Sequence, residues 1–160
     1  MMGSSHLLAS AAIGRGLSSS PWAAVAASFG FHFVLDSLPH LDSDDVWGET
    51  GPLALMIGVA VADFILAGTL LGFLLRGRPW RRTALWCALS AVVLDLLNTI
   101  PPIGPWFKSW RGTAWLDRWH HAIQPDVPPD AYLVGFGTQA IVIAISVWLL
   151  LRPARSPERE

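Results

Sequence analysis

Charge is scarce in this chain, and its placement says more than its net value. Charged residues fill 14% of the 160 positions and nearly cancel to −1, a net value that is itself uninformative. No basic stripe runs along any segment, and no nucleic-acid partner is expected. Cysteine is almost absent. The single Cys87 has no intramolecular partner, so no disulfide framework can hold the fold. A secretory signal peptide is not expected either, because a basic n-region is missing and Arg15 interrupts the first apolar stretch. Internal repeats are also lacking.

Apolar length is what the chain has. Hydrophobic residues make up 52% of it, and the mean hydropathy is +0.45. They gather in long runs: Pro52 to Leu75 contains one charge, Asp63; Thr83 to Ile100 contains one, Asp95; Ala131 to Leu151 contains none. At about 1.5 Å per residue, roughly 20 residues cross a hydrocarbon core of about 30 Å, and these runs fit. The spacing predicts an all-α, polytopic membrane helical bundle, with residues 1–152 as one membrane-embedded domain. Residues 153–160 form a short polar cytoplasmic tail, expected to be disordered.

A fourth apolar unit precedes these three. Ser5 to Gly16 reads as a short helix, Leu17 to Pro21 as a Ser-rich turn, and Trp22 to Leu38 as a second helix. Ser20 is a candidate N-cap before Pro21, and Pro39 should stop the helix at or before Leu38. The arrangement reads as an N-terminal helical hairpin in which His6 and His32 reach equal depth from the turn. The alternative is a first helix lying on the membrane surface, which would strand His6 on the other side. The second and third apolar runs are joined by the short basic turn Arg76 to Arg82, and are expected to be antiparallel neighbours.

Arginines bracket the spans: Arg15, the group Arg76, Arg78, Arg81 and Arg82, and Arg152, Arg155 and Arg159. By the positive-inside rule these ends are cytoplasmic. The acidic loop with Asp42, Asp44, Asp45 and Glu49 then lies outside, as does the loop Pro101 to Asp130. Lys108, Arg111 and Arg118 in that loop are a mild counterweight. The same loop holds Trp106 with Trp110 and Trp115 with Trp119, two i,i+4 pairs that share helix faces and favour the headgroup level.

Ionisable groups inside apolar spans are costly and default to a functional reading. Imidazole and carboxylate alternate at four-residue spacing through His32, Asp36 and His40, so His32 and Asp36 stack on one helix face. Asp63 shares a stripe with Ala60 and Ala67, and Asp95 shares one with Ala88, Ala91 and Asn98. Small residues let neighbouring helices approach, so both acids should face the bundle interior. Of the adjacent His120 and His121, one can point inward while the other faces water. His6, His32, Asp36, Asp95 and the His120/His121 pair fall at one depth in the outer half, with His40 at the outer surface. Mixed imidazole and carboxylate ligands suit a divalent transition metal, zinc above all. His6, His32, Asp36, His40, His120 and His121 are the candidate ligands, and Asp95 is a candidate ligand or catalytic general base. The bland alternative is a set of hydrogen bonds that fix helix packing.

Ser5-His6-Leu7-Leu8, the run from His32 to Asp42, Asp95 to Asn98 with Pro101, and His120-His121 together resemble a family. It comprises the membrane-bound metal-dependent hydrolases, small proteins of the bacterial inner membrane. Pro39-His40-Leu41-Asp42-Ser43 is the nearest counterpart of that family's Pro-Asp-hydrophobic-Asp-His element, keeping the proline and the second acid. The resemblance implies a multi-pass inner-membrane protein with a metal site, surrounded by membrane lipids; with the arginine topology, the favoured expectation is metal-dependent hydrolysis of a lipid or phosphoester at the extracytoplasmic face. Two rival readings are a transporter or ion-conducting protein relaying through Asp63 and Asp95, and a structural membrane protein without catalysis.

Overall fold

The computed structural model describes residues 1–41, 52–99, 103–125, 127–128 and 131–153. Among these residues the chain is entirely helical, with seven helices and no strand. They are α1 (Gly3–Gly16), α2 (Pro21–Asp36), α3 (Leu53–Leu74), α4 (Arg81–Thr99), α5 (Ile103–Ser109), α6 (Ala114–Ile123) and α7 (Tyr132–Leu151). The acidic loop with Asp42, the Pro101 position and the tail with Arg155 and Arg159 lie outside the described residues.

The first two helices fold back on each other. His6 faces His32, with ring centroids 4.5 Å apart, and Ser28 Oγ–H donates to Ser10 O at 3.4 Å. Both pairs are equally distant from the turn, the signature of antiparallel arms. Pro21 starts α2, where its fixed φ suits the first turn and its missing N–H costs nothing. Ser20 stands at the N-cap, but its hydroxyl makes no capping bond. At the other end the chain leaves the helix at Ser37, two residues before Pro39.

α1 is the hub of the bundle. It packs against α2, α3, α4 and α7, most extensively against α4. Its small residues allow this: Ser5, Ala9, Ser10, Ala11 and Gly14 are all buried. At Gly14 a Cβ would sit 2.7 Å from Ala84 Cα and 3.0 Å from Cys87 Sγ. The expectation that α3 and α4 pack along each other as direct neighbours is therefore corrected. They converge at the turn, where Leu71, Leu74 and Leu75 meet Ala84 and Ala88, and α1 lies against both. Within the turn Gly77 takes φ 70°, a left-handed conformation that glycine reaches without a Cβ clash.

Gly14→Val should force α1 from α4 and destabilise the bundle by about 1–3 kcal/mol. Gly16→Ala, with open space around its Cβ position, is the matched control. Thermal denaturation in detergent measures both. A Gly14→Val protein that melts with the wild type would contradict the close packing.

Two helices, α3 and α7, are long and apolar enough to cross a membrane. A third span exists if α4 and α5 are counted together across their 86° bend. α1 and α2, about 21 and 24 Å long, fall short of a hydrocarbon core of about 30 Å. On α3, Ile57, Val61, Ile65, Leu66 and Phe73 are all at least half exposed, and α7 likewise exposes Leu133, Ile141 and Trp148. Apolar faces this extensive mark a surface built for lipid or a partner.

The arginine end and the histidine end of the bundle are separate. Arg15 Nη2 donates to Arg152 O at 2.6 Å and Pro153 O at 3.1 Å, and its guanidinium lies 5.5 Å from the Trp80 ring. The tip of the hairpin, the α3–α4 turn and the end of α7 thus share one pole. His6 is nine residues, about 14 Å, further along α1.

Candidate metal centre

Asp36 is the focus of the opposite pole. Its side chain is 2% exposed, and three imidazoles reach it. His6 Nε2 lies 3.0 Å from Oδ1, while His32 Nε2 and His120 Nε2 lie 3.1 and 2.6 Å from Oδ2. The Met1 nitrogen is 3.1 Å from Oδ1. Each imidazole arrives from a different direction: α1 supplies His6 from its first turn, α2 supplies His32 one turn before Asp36, and α6 supplies His120.

The two imidazoles on Oδ2 also face each other, His32 Nε2 to His120 Nε2, at 3.1 Å. Asp95, from α4, closes the group with Oδ1 at 3.8 Å from His32 Nε2 and 4.0 Å from His120 Nε2. One ligand atom from each of His32, Asp36, Asp95 and His120 lies within 4.8 Å of the other three. Ligand bonds of 2.0–2.2 Å put tetrahedral ligand atoms about 3.3–3.6 Å apart, and the observed separations scatter around that figure. The Asp95 distances exceed a hydrogen bond but fit two ligands on either side of a cation. The cluster could therefore hold a metal ion.

The surroundings suit such a site. Phe33 presents its ring edge-on to His32 and His120, and stacks at a tilt against Trp119, with centroids 4.6 Å apart. Leu94 and Phe107 pack beside it, so one wall of the cluster is apolar. A dry wall strengthens every charge interaction inside and controls solvent access. The Nδ1 atoms of His6, His32 and His120 are buried without a hydrogen-bond partner. Their orientation is set by packing and by what Nε2 binds.

The remaining candidates stand outside the four-residue group, although Asp63 and His121 line the cavity beside it. His121 has a 58% exposed side chain, and its Nδ1 lies 2.8 Å from Asp117 O and 3.6 Å from Asp117 Oδ1. His40 is buried with Nδ1 2.7 Å from Leu38 O, outside the four-residue group. Asp63 Oδ2 accepts the Ser4 N–H at 2.8 Å. It thereby satisfies one of the unpaired donors that begin α1 and places a carboxylate at the positive end of that helix.

The sequence offered no site role for two further polar residues. Gln124 Nε2 lies 3.4 Å from His120 Nε2, and its i,i+4 spacing from His120 was the available signal. Gln139, buried on α7, donates to Leu41 O at 2.8 Å and accepts the Met2 N–H at 3.2 Å. It ties the start of α1 to the end of α2, a role that no spacing rule announces.

The fold and the cluster together define a helical membrane protein with a His/Asp centre. No protein-family model, curated protein or solved structure matches this chain.

Proposed function

We propose that this chain is a membrane-embedded, metal-dependent hydrolase acting at the extracytoplasmic face of the bacterial inner membrane. Its N-terminal hairpin would be set among three spans. One observation carries the reading: two imidazole nitrogens and two carboxylates from three separate helices, with a third imidazole on Asp36, converge beside a cavity of about 370 Å³. The resemblance to membrane-bound metal-dependent hydrolases points the same way.

Zinc is the ion proposed, and when bound it would lower the pKa of a coordinated water towards about 7. Asp36, His32 and His120 would hold it, and His6 would orient Asp36. Asp95 has a 36% exposed side chain that lines the cavity, so it is placed to take a proton from the attacking water. In ester hydrolysis Asp95 would hold the proton given up by water and return it to the alcohol oxygen that leaves the acyl carbon or phosphorus as the water oxygen takes its place. Asp63 is engaged by Ser4, which favours a fixed scaffold over an ion path through Asp63 and Asp95.

Detergent-purified protein supplied with zinc is expected to hydrolyse bis(4-nitrophenyl) phosphate or 4-nitrophenyl butyrate in a chelator-sensitive manner. Asp95→Asn should reduce turnover by about 100-fold or more. Turnover that chelator leaves untouched, or none of either ester, would overturn the reading. The orientation is tested in a Cys87→Ser background. Ser109→Cys should label from outside intact cells and Arg78→Cys should not.

A further inference from the structure

The cavity beside the cluster is walled by Asp36, Asp95, His120 and Lys108, with Asp63 and Phe64 on the α3 side. Whole drug-sized ligands occupy about 300–1,000 Å³. At about 370 Å³ this space is the size of a headgroup. The apolar face of α3, where Ile57 and Val61 are exposed, offers a place for attached chains.

Lys108 is the one lysine in the sequence; the other ten cationic residues are arginines. It is also the one lysine or arginine among the residues that line this cavity, and it has no ion-pair partner among the described residues. A lysine brings a compact charge and three rotatable donors on a flexible stem, which suits a tetrahedral anion. The carboxylates that share this cavity would repel an anion unless a bound cation neutralises them. Lys108 and the metal centre therefore make sense together, as two positive contacts in one cavity.

The elements that carry these groups also carry the aromatic anchors. Lys108 lies on α5 between Trp106 and Trp110, whose stacked rings are 5.3 Å apart, and His120 follows Trp115 and Trp119 on α6. All four tryptophans are 47–57% exposed. Tryptophan concentrates at the headgroup level of a bilayer, so the cavity is held where lipid headgroups are. A freely soluble ester would gain nothing from that placement.

We infer that the cavity takes the phosphate-bearing headgroup of an anionic membrane lipid, gripped between the metal centre and the Lys108 ammonium. This rests on the metal-centre reading above. The test is calorimetric titration of zinc-loaded protein in detergent with dihexanoyl phosphatidic acid, dihexanoyl phosphatidylcholine and inorganic phosphate. Phosphatidic acid should bind at one equivalent per chain, at least about tenfold tighter than either of the others. Lys108→Gln should weaken it about tenfold or more at unchanged zinc content, and Lys108→Arg should retain most of the affinity. Equal binding by Lys108→Gln would remove Lys108 from the site. Inorganic phosphate binding as tightly as the lipid would overturn the lipid assignment. A protein with stoichiometric zinc that binds no phosphatidic acid overturns the inference and leaves the metal centre standing. A protein that takes up no zinc overturns the metal-centre reading, and the inference with it.

Discussion

Asp36→Asn is expected to lose stoichiometric zinc and to destabilise the bundle by about 3–5 kcal/mol, the cost of breaking a buried charged network from one side. The carboxylate meets imidazoles from α1, α2 and α6 within 3.1 Å, so its loss is felt by three helices at once. The amide preserves shape but swaps one acceptor for a donor. That NH₂ must then face either His6 or the His32/His120 pair. Outer-shell partners of a metal site typically contribute about 10–100-fold in affinity, and a direct ligand should exceed that. Zinc analysis and thermal denaturation of the same preparation read both effects. An Asp36→Asn protein that melts normally would show the carboxylate to be a neutral hydrogen-bonding group. Stoichiometric zinc in an Asp36→Asn, His32→Ala double variant would defeat the ligand set.

Zinc itself should stabilise the wild-type fold. A ligand that binds the folded chain and not the unfolded one adds about 4.1 kcal/mol at 1,000 times its Kd, so the melting temperature should climb with zinc and fall back with chelator. The variants sort the five candidate histidines. His32→Ala and His120→Ala remove nitrogens 3.1 Å apart at the centre and should abolish the zinc-dependent shift. His121→Ala and His40→Ala should keep it, because one side chain faces solvent beside Asp117 and the other turns to Leu38 O. His6→Ala should keep part of it, since His6 reaches the cluster through Asp36 Oδ1. A shift that persists in both His32→Ala and His120→Ala would place the ion elsewhere.

The helices were legible because their physics is local. The run around Asp63 predicted α3 to within about a residue at each end, and the uncharged run did the same for α7. The hairpin was legible from two things: a Ser-rich turn ending in proline, and equal spacing of His6 and His32 about it. The third span was not. Its run reads as one straight span, but α4 (Arg81–Thr99) counts as a span only together with α5, which leaves at 86°. Hydropathy alone does not report such a bend. α1 as the hub was equally hidden, since a short helix of Ser, Ala and Gly reads as a weak span. Its value lies in how closely neighbours approach it, as at Gly14 and Ala84.

By itself the sequence determined which residues would be expensive to bury: His32 and Asp36 on one helix face, and Asp63 and Asp95 on small-residue stripes. That is a matter of periodicity and of the cost of charge in apolar surroundings. Only the tertiary structure decided that Asp63 serves the start of α1 while Asp95 faces two imidazoles, although both looked alike in sequence. It also decided that His120 turns inward and His121 outward, because α6 packs on α2 through Phe33 and its neighbours. Spacing along one helix fixes which side chains share a face. Which face meets which depends on how helices distant in sequence settle against one another, and a local pattern does not contain that information.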